Sequence, residues 1–511
     1  MRAFPLPLAA AALAGFLTVP AAADVRLPAV FGDHMVVQQG TPVPVWGWAD
    51  PGEEISVTLG EKTGKTTADT AGKWQVRLDA LPAGGPHTLK VQGKNLLERT
   101  DVLVGEVWLC SGQSNMGMTV SGCLNFDAEA KASDLPKLRM YTVDRKPAAE
   151  PQADVPGSWK VSGPQTVGSF SATAYFFGRR LHQELGVPVG LINSSWGGTP
   201  IQAWTSVKTH ETVPELTPLL ESLKKSIEGW DPAKAKARYE QQLADWKKKE
   251  AEAKAAGTPF KVRRPSPPLD PNISQNSPGR LYNGMIAPLV PYAIKGAIWY
   301  QGEANAGNAP LYAVQLKAMI GAWRSAWGSD FPFLFVQLPN FQKPQEKPVE
   351  GGWADIREVF LKTLTAVPNT GMAVTIDVGD ADDIHPKNKQ AVGHRLAQWA
   401  LAKTYGKPLV ACGPLYKGMK KDGDTIVCEF DFVGGGLVAK DGEKLKGFAI
   451  AGADKQFVWA EAKIVGQTVA VSSPDVKNPV AVRYAWASNP ACNLYNQEGL
   501  PASPFRTDDG P

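Results

Sequence analysis

Apolar and polar residues alternate through the first part of the chain. Ile55-Ser56-Val57-Thr58-Leu59 and Trp74-Gln75-Val76-Arg77-Leu78 each put every second residue on one apolar face, the period of a half-buried strand. Pro42-Val43-Pro44-Val45-Trp46-Gly47-Trp48 is extended too, but its prolines lack the N–H that an inner ladder needs, so it is read as an edge strand. Asp50-Pro51-Gly52 and Ala83-Gly84-Gly85-Pro86 are turns between such runs. Short strands at this spacing predict a small β-sandwich-like domain over residues 24–104.

From residue 105 to 404 the period changes. A helix is predicted over Ala172 to Leu185, with Phe177, Leu181 and Leu185 on one face, followed by a buried strand from Val187 to Asn193. Gly296-Ala297-Ile298-Trp299-Tyr300 is another strand, and the helix after it carries Leu316, Met319, Ile320, Trp323 and Trp327 at a 3.6-residue period. Phe333 to Leu338 and Met372 to Ile376 are further strands, and the helix beyond His385 buries Val392, Leu396 and Trp399. Apolar strands alternating with amphipathic helices predict an α/β fold, a parallel sheet with helices on both faces. Residues 206–275 interrupt it. Ala233 to Ala256 is rich in Ala, Lys, Glu and Gln and reads as an exposed helix, a solvated excursion rather than a lid. From 405 to 511 strand-like runs return, among them Thr425-Ile426-Val427-Cys428-Glu429-Phe430 and Ala481-Val482-Arg483-Tyr484, and predict a second β domain.

The first 23 residues belong to neither pattern. Met-Arg, an apolar run from Phe4 to Val19 and Pro20-Ala21-Ala22-Ala23 have the layout of a secretory leader cleaved after Ala23. The run falls short of the ~20 residues of a spanning helix, so export to the periplasm or the exterior is expected, without a membrane anchor. An exported chain permits disulfides, and Cys110–Cys123 and Cys412–Cys428 are the sequence-local pairs, leaving Cys492 over. No Cys or His cluster has zinc spacing, and no metal is expected.

Length and charge narrow the classes. The 511 residues suggest several domains, and 43% hydrophobic against 20% charged residues permits a large core. With 54 basic and 50 acidic residues the net charge is +4, too even for a nucleic-acid binder. Oligomeric state is not legible.

Four segments, each at a predicted strand end, carry candidate chemistry. Gly105-Glu106-Val107-Trp108-Leu109-Cys110-Ser111-Gly112-Gln113-Ser114-Asn115-Met116 runs a strand into a glycine turn and exposes a serine hydroxyl at the sheet's carboxyl edge. Ser111 is the competing nucleophile, but it lies on the strand side of the glycine. Asp382-Asp383-Ile384-His385-Pro386 offers the base that such a serine needs, with a carboxylate to hold the imidazole. Asn193-Ser194-Ser195-Trp196-Gly197-Gly198-Thr199 brings backbone N–H groups close to a ligand, and Trp299-Tyr300-Gln301-Gly302-Glu303-Ala304-Asn305 brings side-chain amides.

Taken together, these segments resemble the SGNH-hydrolase superfamily and, within it, the sialate O-acetylesterase-like carbohydrate esterases. The resemblance extends over Val30-Phe31-Gly32-Asp33-His34-Met35-Val36-Val37-Gln38 and Trp46-Gly47-Trp48-Ala49 as well. It implies an SGNH-like three-layer α/β/α core. It makes Ser114 the nucleophile, His385 the base and Asp382 its orienter, with Asp383 competing because relatives place their Asp directly before Ile-His-Pro. Gly197, Gly198 and Gln301 become oxyanion donors, and Asn115, Glu303 and Asn305 substrate contacts. Gln113 replaces the superfamily's Asp of Gly-Asp-Ser, and Gln301 stands where it has the oxyanion Asn. The implied activity is removal of O-acetyl groups from carbohydrates, sialic acids first, with no cofactor. Acetylated plant-wall polysaccharide such as xylan is the alternative substrate, and a non-catalytic carbohydrate-binding protein the alternative class.

Overall fold

The computed structural model of the protein describes residues 24–509, so the expected leader lies outside the described residues. Six strands run parallel through the middle of the molecule. From one edge their order is Thr370–Val374, Phe333–Gln337, Gly296–Tyr300, Leu96–Gly112, Val189–Ser195 and Leu135–Val143, with Gly157–Ser162 added antiparallel at the far edge. Gly296–Tyr300 and Phe333–Gln337 are buried along their whole length, which is why they read as unbroken apolar runs rather than as alternation. Leu96–Gly112 is central. Strands later in the chain lie on both sides of it, so its carboxyl end is a topological switch point, where diverging loops leave a crevice.

Helices cover both faces. Ala172–Leu185 starts where the Ser171 hydroxyl accepts the Ala174 N–H at 3.2 Å and stops at Gly186, whose φ is 70°. It packs against Lys389–Trp399 at Gly393, where a Cβ would stand 2.5 Å from the Phe176 Cβ. Trp108, on the central strand, meets Phe177 of this layer edge-on at 4.9 Å. The opposite face carries Ala309–Trp327 and Trp353–Ala366, with Trp299 edge-on to Trp323 at 5.8 Å and Phe335 against Phe360 at 5.6 Å.

The central strand is longer than the sheet. Its first half pairs with Gly84–Gln92 and Val36–Gln38, and its second half with Val189–Ser195 and Gly296–Tyr300. The expected break at residue 104 therefore falls inside one continuous strand. Glu54–Leu59 and Lys62–Thr67 extend the N-terminal sheet, while Val43–Trp48 and Lys73–Leu78 form a separate two-stranded ribbon. Within the insert, Pro232–Ala255 has no buried residue, as its sparse apolar positions predict.

The C-terminal strands make two four-stranded antiparallel sheets around a core of their own. Arg357 fastens them to the α/β part. Wholly buried, its guanidinium donates to the carbonyls of Leu338 (2.8 Å), Pro339 (2.6 Å), Ala487 (2.6 Å) and Ser488 (2.8 Å). All five cysteines are free, so the expected pairs Cys110–Cys123 and Cys412–Cys428 do not form. Cys110 is enclosed in the central strand, and Cys412 and Cys428 belong to different cores. Among the described residues, no helix is long and apolar enough to cross a membrane.

Candidate active site

The central strand ends at Gly112, whose φ is 144° and where a Cβ would lie 2.1 Å from the Tyr300 carbonyl oxygen. A side chain has no room there, so the turn requires glycine. Gln113 and the short helix Ser114–Gly117 follow. Ser111 is buried, its Oγ enclosed without a partner, whereas Ser114 keeps part of its surface. Gly197 crosses over Ser114: a Cβ on it would stand 3.4 Å from the Ser114 Cβ. Ser114 begins a helix, so its N–H lacks an intrahelical acceptor. Among the described residues neither this N–H nor that of Gly197 has one. Gly198, with φ 74°, turns the chain away.

One side chain joins the loops. Asn115 Nδ2 donates to Glu303 Oε1 at 2.6 Å and to the Ile384 carbonyl at 3.0 Å. Its Oδ1 accepts from Lys389 Nζ at 2.6 Å, and the same ammonium donates to the Pro386 carbonyl at 2.7 Å. The Ser114 turn, the loop after Gly296–Tyr300 and the His385 loop are thus fastened at a single residue. Ser114 and His385, so distant in the chain, are next neighbours of the two residues in the Asn115–Ile384 bond. Because Asn115 is fully buried with both ends of its amide engaged, it is a brace rather than the substrate contact expected of it.

His385 is half-exposed, and its Nδ1 lies 3.4 Å from Asp383 Oδ1, which also accepts the His385 backbone N–H at 2.8 Å. The partner found at the ring is therefore Asp383, where the sequence favoured Asp382. Asp380 Oδ1 accepts the N–H groups of Asp382 (2.9 Å) and Asp383 (3.3 Å), a local turn that presents Asp383 to the ring. The Asp382 carboxylate is exposed, with no polar partner among the described residues.

Gln301 does not stand ready as an oxyanion donor. Its amide nitrogen donates to the Thr199 carbonyl (3.3 Å) and to Asn305 Oδ1 (2.7 Å), which uses both hydrogens. The orientation is fixed, because Asn305 Oδ1 must also accept the Ile201 N–H at 3.0 Å. Asn305 Nδ2 in turn bonds Gln202 Oε1 at 3.2 Å, so Asn305 braces the loops. Glu303 keeps one carboxyl oxygen, Oε2, buried without a partner. Burial pushes this carboxyl above the usual range, against the Asn115 hydrogen bond and the nearby Lys389 charge. Burial likewise lowers Lys389 to about 8, opposed by Cys123, Glu303 and Asp383.

Lys389 was missed in the sequence, yet it left a signal. It stands in the apolar stripe of its own helix, ahead of Val392, Leu396 and Trp399, where a lysine is out of place unless its ammonium is engaged.

Known proteins resemble the chain over most of its length. The family model for carbohydrate esterases described as sialic acid-specific acetylesterase matches residues 104–252 and 271–402. Sialate O-acetylesterase of Rattus norvegicus is 32% identical over 94% of this chain and 94% of its own. That of Homo sapiens is 31% identical over 95% and 94%. The crystal structure of a carbohydrate acetylesterase from Xanthomonas citri superimposes with a TM-score of 0.79 at 39% identity, covering 95% of this chain and all of that one.

Proposed function

Since the chain belongs to the sialic acid-specific acetylesterase family of carbohydrate esterases, and is a carboxylic-ester hydrolase acting on acetylated carbohydrate, we propose that it is an exported enzyme removing O-acetyl groups from sialic acids through an acyl-enzyme on Ser114. The observation that carries the reading is the Asn115–Ile384 hydrogen bond at 3.0 Å, which ties the Ser114 turn to the His385 loop. An SGNH-like three-layer core fits the helices on both faces of the sheet, and the sialic acid is taken from the curated relatives. We further propose that residues 24–104, 105–404 and 405–511 act as N-terminal β, catalytic and C-terminal β domains, with the 206–275 insert as a surface excursion.

His385 accepts the Ser114 hydroxyl proton as Oγ bonds to the acetyl carbonyl carbon, and Asp383 holds the ring and offsets its charge. The carbonyl oxygen becomes an oxyanion between the N–H groups of Ser114 and Gly197, each worth about 3 kcal/mol of barrier. Collapse of the tetrahedral adduct breaks the bond to the sugar oxygen, which takes the proton from His385. Water, deprotonated by His385, then attacks the acetyl-serine; the bond to Ser114 Oγ breaks, Oγ takes the proton back from His385, and acetate leaves.

Ser114→Ala should keep the far-UV spectrum and lose acetate release from both p-nitrophenyl acetate and 9-O-acetyl-N-acetylneuraminic acid. Retained turnover on the small ester would place the nucleophile elsewhere. Turnover on the small ester and on acetylated xylan, with none on the sialic acid, would retain the mechanism and reject the substrate.

A further inference from the structure

A groove of about 430 Å³ lies between the two-stranded ribbon and the segment leading into Gly296, lined by Trp46, Trp48, Gln75, Asp69 and Pro291 among others. Its residues belong to none of the loops around Ser114. Gly112, just before the Ser114 turn, pairs with Tyr300, whereas Pro291 precedes Gly296 at the other end of that strand. The groove and Ser114 are thus on opposite edges of the sheet, separated by at least the strand's length of roughly 17 Å.

Trp46 and Trp48 alternate with Gly47 and so present their indoles on one side of the ribbon, roughly 7 Å apart along it. Directly across, Gln75 pairs with Trp46 and Lys73 with Trp48, which brings polar groups beside the rings. Trp46 is held edge-on by Phe31 at 4.7 Å and by Tyr292 at 6.4 Å, while Trp48 is half-exposed. The N–H groups of both indoles and the Gln75 amide have no hydrogen-bond partner among the described residues. Trp74, opposite Gly47, packs on the other face of the ribbon with Val76 and Leu78, so the groove face is left to Trp46, Trp48 and Gln75. Asp69 is fixed by accepting the N–H groups of Ala71 and Lys73, each at 2.8 Å. One carboxylate and one ammonium line the groove, so it carries no net charge.

We propose that this groove is a second carbohydrate-binding site, which takes a neutral chain of β-linked pyranoses by stacking on Trp46 and Trp48 and by hydroxyl hydrogen bonds to Gln75 and Asp69. Equatorially substituted rings have flat apolar faces that match the indoles, and their hydroxyls supply the acceptors that the indole N–H groups lack. The balanced charge disfavours an acidic sugar. Such a site tethers a polymeric or glycan-bound substrate and raises its local concentration at the distant catalytic edge. The inference rests on the family's carbohydrate chemistry and not on the assignment of Ser114.

The test is isothermal titration of the full chain with unacetylated xylohexaose and cellohexaose, and with an α2,8-linked sialic acid hexamer. Trp48 is substituted rather than the more deeply packed Trp46. At least one neutral hexasaccharide should bind the parent, at least tenfold more weakly to Trp48→Ala, and with intermediate affinity to Trp48→Phe. Turnover of p-nitrophenyl acetate should stay within twofold in both variants, which also reports that they fold. Binding by neither neutral chain, undiminished binding by Trp48→Ala, or preference for the sialic acid hexamer would overturn the proposal. Ser114→Ala should bind as the parent does, so failure of the catalytic reading and failure of this one are seen in different measurements.

Discussion

Replacing Lys389 with methionine separates positioning from stability. The ammonium is fully buried and donates to Asn115 Oδ1 at 2.6 Å and to the Pro386 carbonyl at 2.7 Å. Losing two hydrogen bonds from a charged donor costs about 1.5–3 kcal/mol each. Against this, burial holds the lysine at about 8 instead of 10.5, a penalty of about 3 kcal/mol that methionine does not carry. The two effects largely offset, so Lys389→Met should lower stability at pH 7 by no more than about 3 kcal/mol. Stability should diverge at higher pH. The folded-state value lies below the unfolded one, so the penalty is complete below pH 8. Between about 8 and 10.5 the folded chain has shed a proton that the unfolded chain still holds, and the parent gains stability relative to the variant. Turnover should respond differently, since Asn115 loses its anchor and the Ser114 turn can shift against His385. A displacement near 1 Å costs about a hundredfold in rate. Urea unfolding followed by tryptophan fluorescence at several pH values, alongside p-nitrophenyl acetate turnover at pH 7, checks both. Unchanged turnover, or a parent–variant stability difference that stays flat above pH 8, would refute the reasoning.

Three further outcomes follow from the same geometry. Asp383→Asn should lower turnover at least a hundredfold and Asp382→Asn less than fivefold, as measured by acetate release; the reverse ranking would restore Asp382 as the orienter. Gln301→Met removes two internal hydrogen bonds, so it should cost about 1–3 kcal/mol in urea denaturation while slowing turnover less than tenfold, well short of a lost oxyanion donor. Arg357→Met strands four carbonyls between the α/β part and the C-terminal strands, and should lower stability by more than about 3 kcal/mol, read as a shifted urea midpoint.

The α/β core was legible because its elements have sharp edges. The helix Ala172–Leu185 and the strand Gly296–Tyr300 are found at the positions their periodicities predict. The glycine turn before Ser114 was legible for a similar reason, since a strand running into Gly112 leaves few other geometries. What failed depended on partners from elsewhere in the chain. Gln301 looks available until Asn305 and Thr199 occupy its amide, and no local pattern reports that. The choice between Asp382 and Asp383 turns on which way a loop carboxylate points, set here by Asp380. The cysteine pairs rested on nearness in the sequence, which does not by itself bring sulfurs together. The change of pattern near residue 104 follows burial along one strand: Leu96–Gly112 is alternately exposed up to Asp101 and wholly buried from Val102 onward, where it enters the α/β sheet.

That strand has a consequence for how the molecule is handled and inherited. A hydrolase and its N-terminal neighbour that share one backbone rod cannot be parted at their seam by a protease or a cloning boundary. A cut at residue 104 would part Gln38 from Gly105, Glu106 and Val107 and leave the approach to Gly112 with a raw end. The two halves are therefore expected to melt as one cooperative unit and to travel between genomes together.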